Sequence, residues 1–280
     1  YAQPVQQPVY YAPVQPPKWA DPARLEQKEL RRVASRLSFA TMTSLPIQVL
    51  WTTLATLILT VCGVNLMGPN TIGGFPPTAY YLISSIASFL SIVLPFSFFL
   101  FFGKRKLSDT VLVEKNGVLN SVLLVFAGLA VSVLMNIPAN LISQLLEGAG
   151  LNGDANTADL LAMTPVQALT MFVSVVLVAP VTEEFAFRSV TTAVMRRWGD
   201  WPAVIFSALI FGMAHYSIQS LPVVLTAGFV MALLYVRTRN IWVNIFVHML
   251  NNLLATLPIA LEGLVGADAA NIASNLLTYI

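Results

Sequence analysis

The stretch VTEEFAFR, residues 181–188, places two neighbouring glutamates and an arginine inside an otherwise apolar segment. A charged side chain at the centre of a bilayer costs at least about 2.5 kcal/mol on insertion scales, so such groups face a protein interior or a water-filled cavity. Glu184 and Arg188 are four residues apart with the acid first, the favourable order for an ion pair on a helix. Glu183 points about 100° away from Glu184 on the same helix, so the two carboxylates can have different partners.

The composition around this stretch is that of an integral membrane protein. Of the 280 residues, 56% are hydrophobic and only 10% are charged, and the mean hydropathy is +0.73. An ordinary soluble domain has about 25% charged residues. The single cysteine, Cys62, excludes a disulfide framework and a cysteine-based metal site within one chain. We expect a multi-pass protein of the cell membrane that has the lipid bilayer as a partner and binds no nucleic acid.

Apolar segments long enough to cross the membrane recur along the chain. About 20 apolar residues span the hydrocarbon core as a helix. A weaker stretch at 264–280 carries Asp268 and predicts part of an eighth helix. The sequence therefore predicts an all-α fold, a polytopic membrane helix bundle with seven to eight transmembrane helices. The seven stronger segments are 45–66, 79–102, 118–140, 166–195, 202–218, 221–237 and 241–261.

Composition divides the chain into four regions. Residues 1–36 are Pro/Gln-rich and then basic, which predicts a disordered cytoplasmic tail whose second half, from Asp21, suits a short juxtamembrane helix. Residues 37–160 hold the N-terminal transmembrane helices, residues 161–262 hold the candidate catalytic core, and residues 263–280 form a partial last helix or tail. The chain begins with Tyr and ends in an apolar stretch, so we expect both termini to be incomplete.

The distribution of Lys and Arg predicts the orientation in the membrane. Short cytoplasmic loops carry an excess of these residues. The stretch before the first segment and the connections after the second, fourth and sixth segments are basic. The alternate connections, 67–78, 141–165 and 217–221, contain no Lys or Arg. The N-terminus is therefore predicted to be cytoplasmic.

Polar side chains of three different segments are predicted to lie at similar depth. Counting about 1.5 Å per helical residue from the cytoplasmic ends places Glu183 and His215 roughly 20 Å deep. The same count places His248 roughly 14 Å deep, with Asn252 one turn deeper. The segment 166–195 must then be a long or tilted helix. The common depth predicts one polar pocket.

These side chains permit two kinds of hydrolytic chemistry. Two histidines and a carboxylate are the ligand set of a hydrolytic zinc site, for which Glu183, His215 and His248 are the candidates. The same groups can also work without a metal, with a desolvated glutamate as general base on water and His and Asn donors at an oxyanion. The spacing is not the His-Glu-x-x-His of one zincin helix. A divalent metal such as zinc therefore stays open as a cofactor, and no organic cofactor is expected.

Three motifs follow one another on successive predicted helices. They are Glu183-Glu184-x-x-x-Arg188, Phe211-x-x-x-His215 and His248-x-x-x-Asn252. Together they resemble the CPBP family, which comprises CAAX prenyl endopeptidases and bacteriocin-processing enzymes and is also called the Abi domain. The resemblance covers about residues 166–261. It implies a glutamate-dependent intramembrane endopeptidase, a hydrolase of the kind often described as a metalloprotease.

The resemblance also implies a role for each motif residue. By position, Glu183 would activate the water, and Glu184 with Arg188 would form the supporting pair. His215 and His248 would bind a metal or the reacting water.

Asn252 would join the oxyanion site, and its spacing from His248 favours it over Asn251. The implied partner is a membrane-associated protein or peptide substrate. Family members process CAAX proteins or bacteriocins or confer self-immunity, and a bacterial plasma membrane is the expected location.

Two other functions are compatible with the same residues. Glu, His and Arg at mid-depth can form the proton relay of a transporter. Only Pro180, which removes a backbone donor and predicts a kink beside Glu183, is a candidate for a helix break near the cluster. A non-catalytic immunity or scaffold protein is the third possibility, and the intact set of motifs argues against it.

Overall fold

The computed structural model of the protein describes residues 21–66, 71–72, 74–151 and 164–278. These residues are almost entirely helical, and the extended pairing within them is limited to two isolated bridges, Ile72 with Phe75 and Val113 with Asn240. The predicted fold class, an all-α polytopic bundle, is therefore confirmed. The helices are α1 (Pro22–Met42), α2 (Ser44–Val61), α3 (Pro77–Phe102), α4 (Val118–Gly148), α5 (Pro165–Trp198), α6 (Asp200–Met213), α7 (Leu221–Thr238), α8 (Ile241–Val265) and α9 (Ala267–Thr278).

Six stretches of the described residues are long and apolar enough to cross a membrane. They are α1 and α2 taken together across their junction at Thr43, then α3, α4, α5, α7 and the first 22 residues of α8. The predicted long helix around Glu183 is confirmed, because α5 has 34 residues. The weak segment at the C-terminal end is the 12-residue helix α9.

The segment predicted at 202–218 differs from the expectation. Its helix, α6, has only 14 residues and ends at Met213. At about 1.5 Å per residue it rises roughly 21 Å, which is less than the thickness of the hydrocarbon core. His215 therefore follows the helix in a turn instead of lying within it. The expectation that Pro180 is the only candidate for a break near the cluster is wrong for this reason.

The second half of the predicted N-terminal tail is helical, which agrees with the juxtamembrane helix expected from Asp21 onward. Helix α1 begins at Pro22, and the side chain of Asp21 caps it by accepting from the backbone N–H of Ala23 at 3.0 Å. Val33 and Leu37 are buried, so this helix packs on the bundle instead of remaining in solvent. The reason is the helical spacing of these apolar residues, which the excess of basic residues masks in the sequence. The Pro/Gln-rich residues 1–20 lie outside the described residues.

The basic connections meet at one end of the bundle, as the charge count predicts. The guanidinium of Arg239 contacts the carboxylate of Glu114 at 2.8 Å, and Ile241 donates from its backbone N–H to the carbonyl of Leu112 at 2.9 Å. Arg197, at the end of α5, pairs with Glu29 of α1. Ala193 near the end of α5 packs in one cluster with Leu112 and Tyr235, which brings the two sets of contacts together. The connections after α3, α5 and α7 therefore lie on the same side as the first half of α1.

Helix α5 contains two π-helical segments, Phe172–Val178 and Phe185–Thr192, on either side of the residues Ala179–Glu184. The hydroxyls of Thr191 and Thr192 donate to the carbonyls five residues earlier, at 3.0 and 2.8 Å. Pro180 lies at the start of the central α-helical turns. The hydrogen-bonding pattern of α5 thus changes both before and after the two glutamates. π-Helical turns of this kind often occur at functional sites.

The largest core cluster lies where α1, α3, α5 and α6 meet. Phe187 of α5 is at its centre, with ring centroids 5.6 Å from Phe96 of α3 and 5.1 Å from Phe211 of α6. Both contacts are edge-to-face, the arrangement that aromatic rings prefer. Leu37 of α1 is fully buried in the same cluster. This core fixes α5, and hence the glutamates, against the neighbouring helices.

Gly228 of α7 allows a close helix crossing at this core. A Cβ at this position would lie 2.9 Å from Cδ1 of Phe211 and 3.3 Å from the backbone Cα of Ala208. We expect Gly228→Ala to destabilise the protein by about 1–3 kcal/mol through overpacking. Thermal unfolding in detergent micelles measures this loss.

The matched control is Gly148→Ala at the end of α4, where an added Cβ meets nothing within 4 Å. Alanine is the better helix former, so this variant should unfold at the wild-type temperature or above. Equal unfolding temperatures for the two variants would contradict the close crossing at Gly228.

Candidate active site

The centre of the site is a buried ion pair on α5. The guanidinium Nε of Arg188 lies 3.2 Å from Oε2 of Glu184, and neither side chain is exposed to solvent. The pair is an electrostatic contact without ideal hydrogen-bond geometry, since neither atom completes a hydrogen bond. Arg188 also donates from Nη2 to the carbonyl of Gly228 at 3.4 Å and places its guanidinium carbon 4.5 Å from the centre of the Phe211 ring. The predicted pairing of Glu184 with Arg188 is present.

His248 of α8 connects this pair to the second glutamate. Its Nδ1 lies 2.9 Å from Oε1 of Glu184, and its Nε2 lies 3.7 Å from Oε2 of Glu183. An ionised carboxylate only accepts hydrogen bonds, so the Glu184 contact assigns a proton to Nδ1. In neutral imidazole the Nε2 lone pair then faces Glu183. One imidazole thus lies between two carboxylates from neighbouring positions of α5.

His215 approaches the site from the end of α6. Its Nδ1 lies 2.8 Å from the carbonyl oxygen of Phe211, so the ring donates there and leaves Nε2 available. The Phe211 ring contacts both histidines, with its centroid 4.8 Å from His215 and 6.1 Å from His248. The predicted contact of Phe211 with His215 is therefore made, although His215 follows the helix.

Glu183 and His215 both line one small polar cavity. Its volume is about 130 Å³, which is enough for several water molecules. Its polar wall comes from the N-terminal helices. The lining residues with polar side chains are Thr41, Ser44, Gln48, Ser88, Ser91, Glu183, His215 and Tyr216.

Asn252 lies one turn beyond His248 on α8 and contacts the backbone of α5. Its Nδ2 donates to the carbonyl of Val175 at 2.8 Å. Val175 precedes Pro180 by five residues, the spacing of a π-helical bond, and proline has no N–H to offer. The amide of Asn252 therefore satisfies a carbonyl in the π-helical segment. Its expected role at an oxyanion stays a prediction.

Sequence reasoning missed Asn244, which lies one turn before His248. The side chain is fully buried, faces the Glu184 carboxylate and donates from Nδ2 to the carbonyl of Met231 at 2.6 Å. The signal was present, because Asn244, His248 and Asn252 repeat at intervals of four residues. The motif therefore continues one turn toward the start of α8.

The missed side chains of the cavity wall, such as Ser44 and Tyr216, gave no such signal. Isolated Ser, Thr and Tyr residues are common in membrane helices. Their contribution depends on how α1 and α2 pack against α6.

The structure does not gather the three candidate metal ligands into a metal site. The described residues contain no group of three or more His, Cys, Asp or Glu side chains arranged to hold a metal ion. His248 directs its Nε2 at Glu183, 3.7 Å away, and His215 lines the cavity that Glu183 also lines, whereas His248 is not among the residues of that cavity. The described residues as placed do not fit a three-ligand metal centre.

Comparison with known proteins agrees with the motifs. Residues 165–254 match the family described as Type II CAAX prenyl endopeptidase Rce1-like. The chain is 31% identical over 140 residues to "Putative membrane peptidase YdiL" of Bacillus subtilis (strain 168), a match that covers 50% of this chain and 57% of that relative. The chain therefore spans little more than half the length of this curated relative. No solved structure matches the chain.

The matched segment contains all three motifs and each of the six predicted site residues. The family resemblance inferred from the motifs is thus confirmed for this segment. The six long apolar helical stretches of the described residues and these similarities identify a multi-pass membrane protein.

The buried ion pair allows a direct test of its contribution to stability. Arg188→Met leaves the carboxylate of Glu184 buried without its guanidinium partner, and breaking a buried pair in this way costs about 3–5 kcal/mol. We expect a correspondingly large fall in unfolding temperature, measured by tryptophan fluorescence in detergent micelles.

The matched control is Arg196→Met on the same helix. Arg196 pairs with Asp200 four residues later at 2.9 Å, but both side chains are partly exposed. A pair of this kind contributes about 0–1 kcal/mol. If Arg188→Met and Arg196→Met lowered the unfolding temperature by similar amounts, the buried pair of Glu184 and Arg188 would contribute no more to stability than an exposed pair.

Proposed function

We propose, from the family match of residues 165–254 and the geometry of the site, that the protein is an intramembrane endopeptidase. It hydrolyses peptide bonds of membrane-associated proteins or peptides with water activated by a glutamate. The observation that carries this proposal is the position of His248, which contacts a charge-paired carboxylate with one nitrogen and faces a second carboxylate with the other.

The two glutamates have different roles in this proposal. The Glu184 side chain is fully buried and is held by Arg188 and His248, so it has no access to substrate. The Glu183 side chain is 15% exposed and lines the polar cavity. A general base must reach the proton that it removes. Glu183 therefore acts as the base, and Glu184 orients His248.

The gap between Glu183 and His248 suits one water molecule. The 3.7 Å between Oε2 and Nε2 is too long for a direct hydrogen bond but is readily bridged. A water there donates one hydrogen to the carboxylate and the other to the Nε2 lone pair. Its own lone pair is then free to attack a carbonyl carbon presented from the cavity.

Attack transfers the water proton to Glu183 and forms a C–O bond at the scissile carbonyl. The C–N bond then breaks as Glu183 returns the proton to the leaving nitrogen. His215, on the same cavity as Glu183, faces the developing oxyanion and stabilises it as the imidazolium, when Nε2 also carries a proton. Asn252 contributes through its effect on α5, and its second N–H is a further candidate donor.

The substrate class follows from the location of the site. Helices that cross the membrane surround the cleavage site, so a substrate has to arrive from the bilayer or its surface. A segment anchored next to a lipid or a transmembrane helix meets this condition. CAAX-like processing, bacteriocin maturation and self-immunity are all pathways that supply such segments.

Glu183→Gln tests the role of the base. The amide keeps the size of the side chain but cannot take a proton, so we expect cleavage to fall by at least about 10²-fold. The measurement uses the protein in proteoliposomes with a library of fluorogenic peptides anchored by a lipid chain.

The matched control is Glu114→Gln, which removes an exposed carboxylate paired with Arg239 at the cytoplasmic end. This variant should cleave like the wild type, and both variants should unfold within a few degrees of it. Unchanged cleavage by Glu183→Gln would disprove the proposed mechanism.

Removal of metal separates the two hydrolytic mechanisms. Because the three candidate ligands are not gathered, we expect the purified protein to retain most of its cleavage rate after dialysis against EDTA and 1,10-phenanthroline. Metal content measured by mass spectrometry controls for incomplete removal. Loss of cleavage that added zinc restores would show instead that Glu183, His215 and His248 rearrange around a metal.

One observation favours a second candidate function, a proton-coupled transporter. Helix α6 ends within the bundle beside the polar cluster, and interrupted helices line the ion and substrate sites of transporters. This candidate predicts pH-driven flux across the same proteoliposomes, abolished by Glu183→Gln, with no peptide cleavage.

A further inference from the structure

Tyr216, directly after His215, has an unusual backbone conformation. Its φ is +51°, in the left-handed region that bulky residues rarely occupy. Such a conformation persists only where the surroundings hold it, and it is often found at functional sites. Burial does not hold this residue, since 43% of Tyr216 is exposed.

The phenol group of Tyr216 supplies the restraint. Its hydroxyl lies 2.6 Å from Oγ of Ser44 and donates to the carbonyl oxygen of Thr41 at 3.2 Å. The hydroxyl of Ser44 also donates to the carbonyl oxygen of Thr41, at 2.6 Å. Three oxygens from positions 41, 44 and 216 are thus within hydrogen-bonding distance of one another.

These contacts connect two breaks in the helical framework. Thr43, between Thr41 and Ser44, is the junction of α1 and α2, whereas Tyr216 belongs to the turn that follows α6. Tyr216, Thr41 and Ser44 all line the small cavity that also contains Glu183 and His215. Thr41 and Ser44 lie outside the segment that matches the peptidase family.

We propose that Tyr216 is a positioning residue, whose hydroxyl ties the His215 turn to the α1–α2 junction and so holds His215 toward Glu183. This inference rests on the proposed peptidase function for its catalytic part. In this proposal, α1 and α2 form part of the site, because the turn that carries His215 is bound to their junction.

The remaining contacts of His215 explain why the tie is needed. Its ring is held on one side by the Phe211 carbonyl and packs against the Phe211 ring. The backbone N–H groups of His215 and Tyr216 bond to carbonyls at the end of α6, at 3.2 and 3.3 Å, and the Tyr216 hydroxyl connects the same turn to α1 and α2. Without the Tyr216 hydroxyl, the turn loses its connection to α1 and α2, the left-handed residue relaxes, and the imidazole then moves away from Glu183.

The kinetic test compares Tyr216→Phe, Ser44→Ala and the double variant. Each single change removes one hydroxyl of the tie, so we expect kcat to fall about five- to tenfold, the effect of one hydrogen bond, with KM within twofold of wild type. The double variant should be no slower than the slower single variant, because both changes break the same connection.

Thr56→Val is the matched control on α2. Its hydroxyl is exposed and donates only to the Thr52 carbonyl of its own helix, at 2.8 Å. Its kcat should equal that of the wild type. Losses in kcat that add in the double variant, or an equal loss in the control, would overturn the shared connection.

Hydrogen–deuterium exchange in lipid nanodiscs tests the tie without any substrate. We expect Tyr216→Phe and Ser44→Ala to raise exchange at least about threefold in the segments 213–220 and 41–46, and Thr56→Val to leave both unchanged. Unchanged exchange in Tyr216→Phe would overturn the tie. Raised exchange with a wild-type kcat would overturn the positioning role.

The kinetic measurement and the exchange measurement can fail independently, so they distinguish a failure of this inference from a failure of the proposed function. A wild-type protein that cleaves no anchored peptide contradicts the peptidase proposal, and with it the catalytic role of Tyr216. The exchange result then decides on its own whether Tyr216 connects the turn to α1 and α2.

Discussion

The guanidinium of Arg188 and the carboxylate of Glu184, buried together among apolar helices, are the constraint around which the site is arranged. Isolated charges at this depth are costly, so each requires a partner within reach. Arg188 has the Glu184 carboxylate, the Gly228 carbonyl and the face of the Phe211 ring. Glu184 in turn has His248. Helices α5, α6, α7 and α8 all contribute to the neutralisation of one buried pair.

This arrangement explains why only one of the two adjacent glutamates is available for chemistry. Neighbouring positions on a helix point about 100° apart, so α5 directs Glu184 into the protein and Glu183 toward the cavity. His248 contacts the first and faces the second. The structural pair thus determines the orientation of the imidazole, and the imidazole determines where a water beside Glu183 can be held.

Irregular backbone occurs beside the glutamates and at the helix ends near the cavity that Glu183 lines. Two π-helical segments flank them on α5, α6 ends before His215, and α1 meets α2 at Thr43. Irregular backbone inside a membrane needs polar side chains to satisfy it. Asn252 does this for Val175, while Thr191 and Thr192 do it within α5. Polar residues that look isolated in the sequence therefore serve the backbone of the site.

Local sequence patterns determined the membrane class, the helical fold and the Glu184–Arg188 pair, because hydropathy and the four-residue spacing describe one helix and its solvent. The same patterns also predict that Glu183, His215, His248 and Asn252 lie at similar depth in the membrane.

Only the tertiary structure decided that His248 lies between the two glutamates, that Asn252 binds the Val175 carbonyl, and that α1 packs on the core. It also revealed the short α6 and the contact of Tyr216 with Ser44, 172 residues away in the chain. The physical reason is that contacts between helices depend on crossing angle, helix ends and changes of register. These features arise from packing across the whole bundle and leave no periodic signal in any one segment.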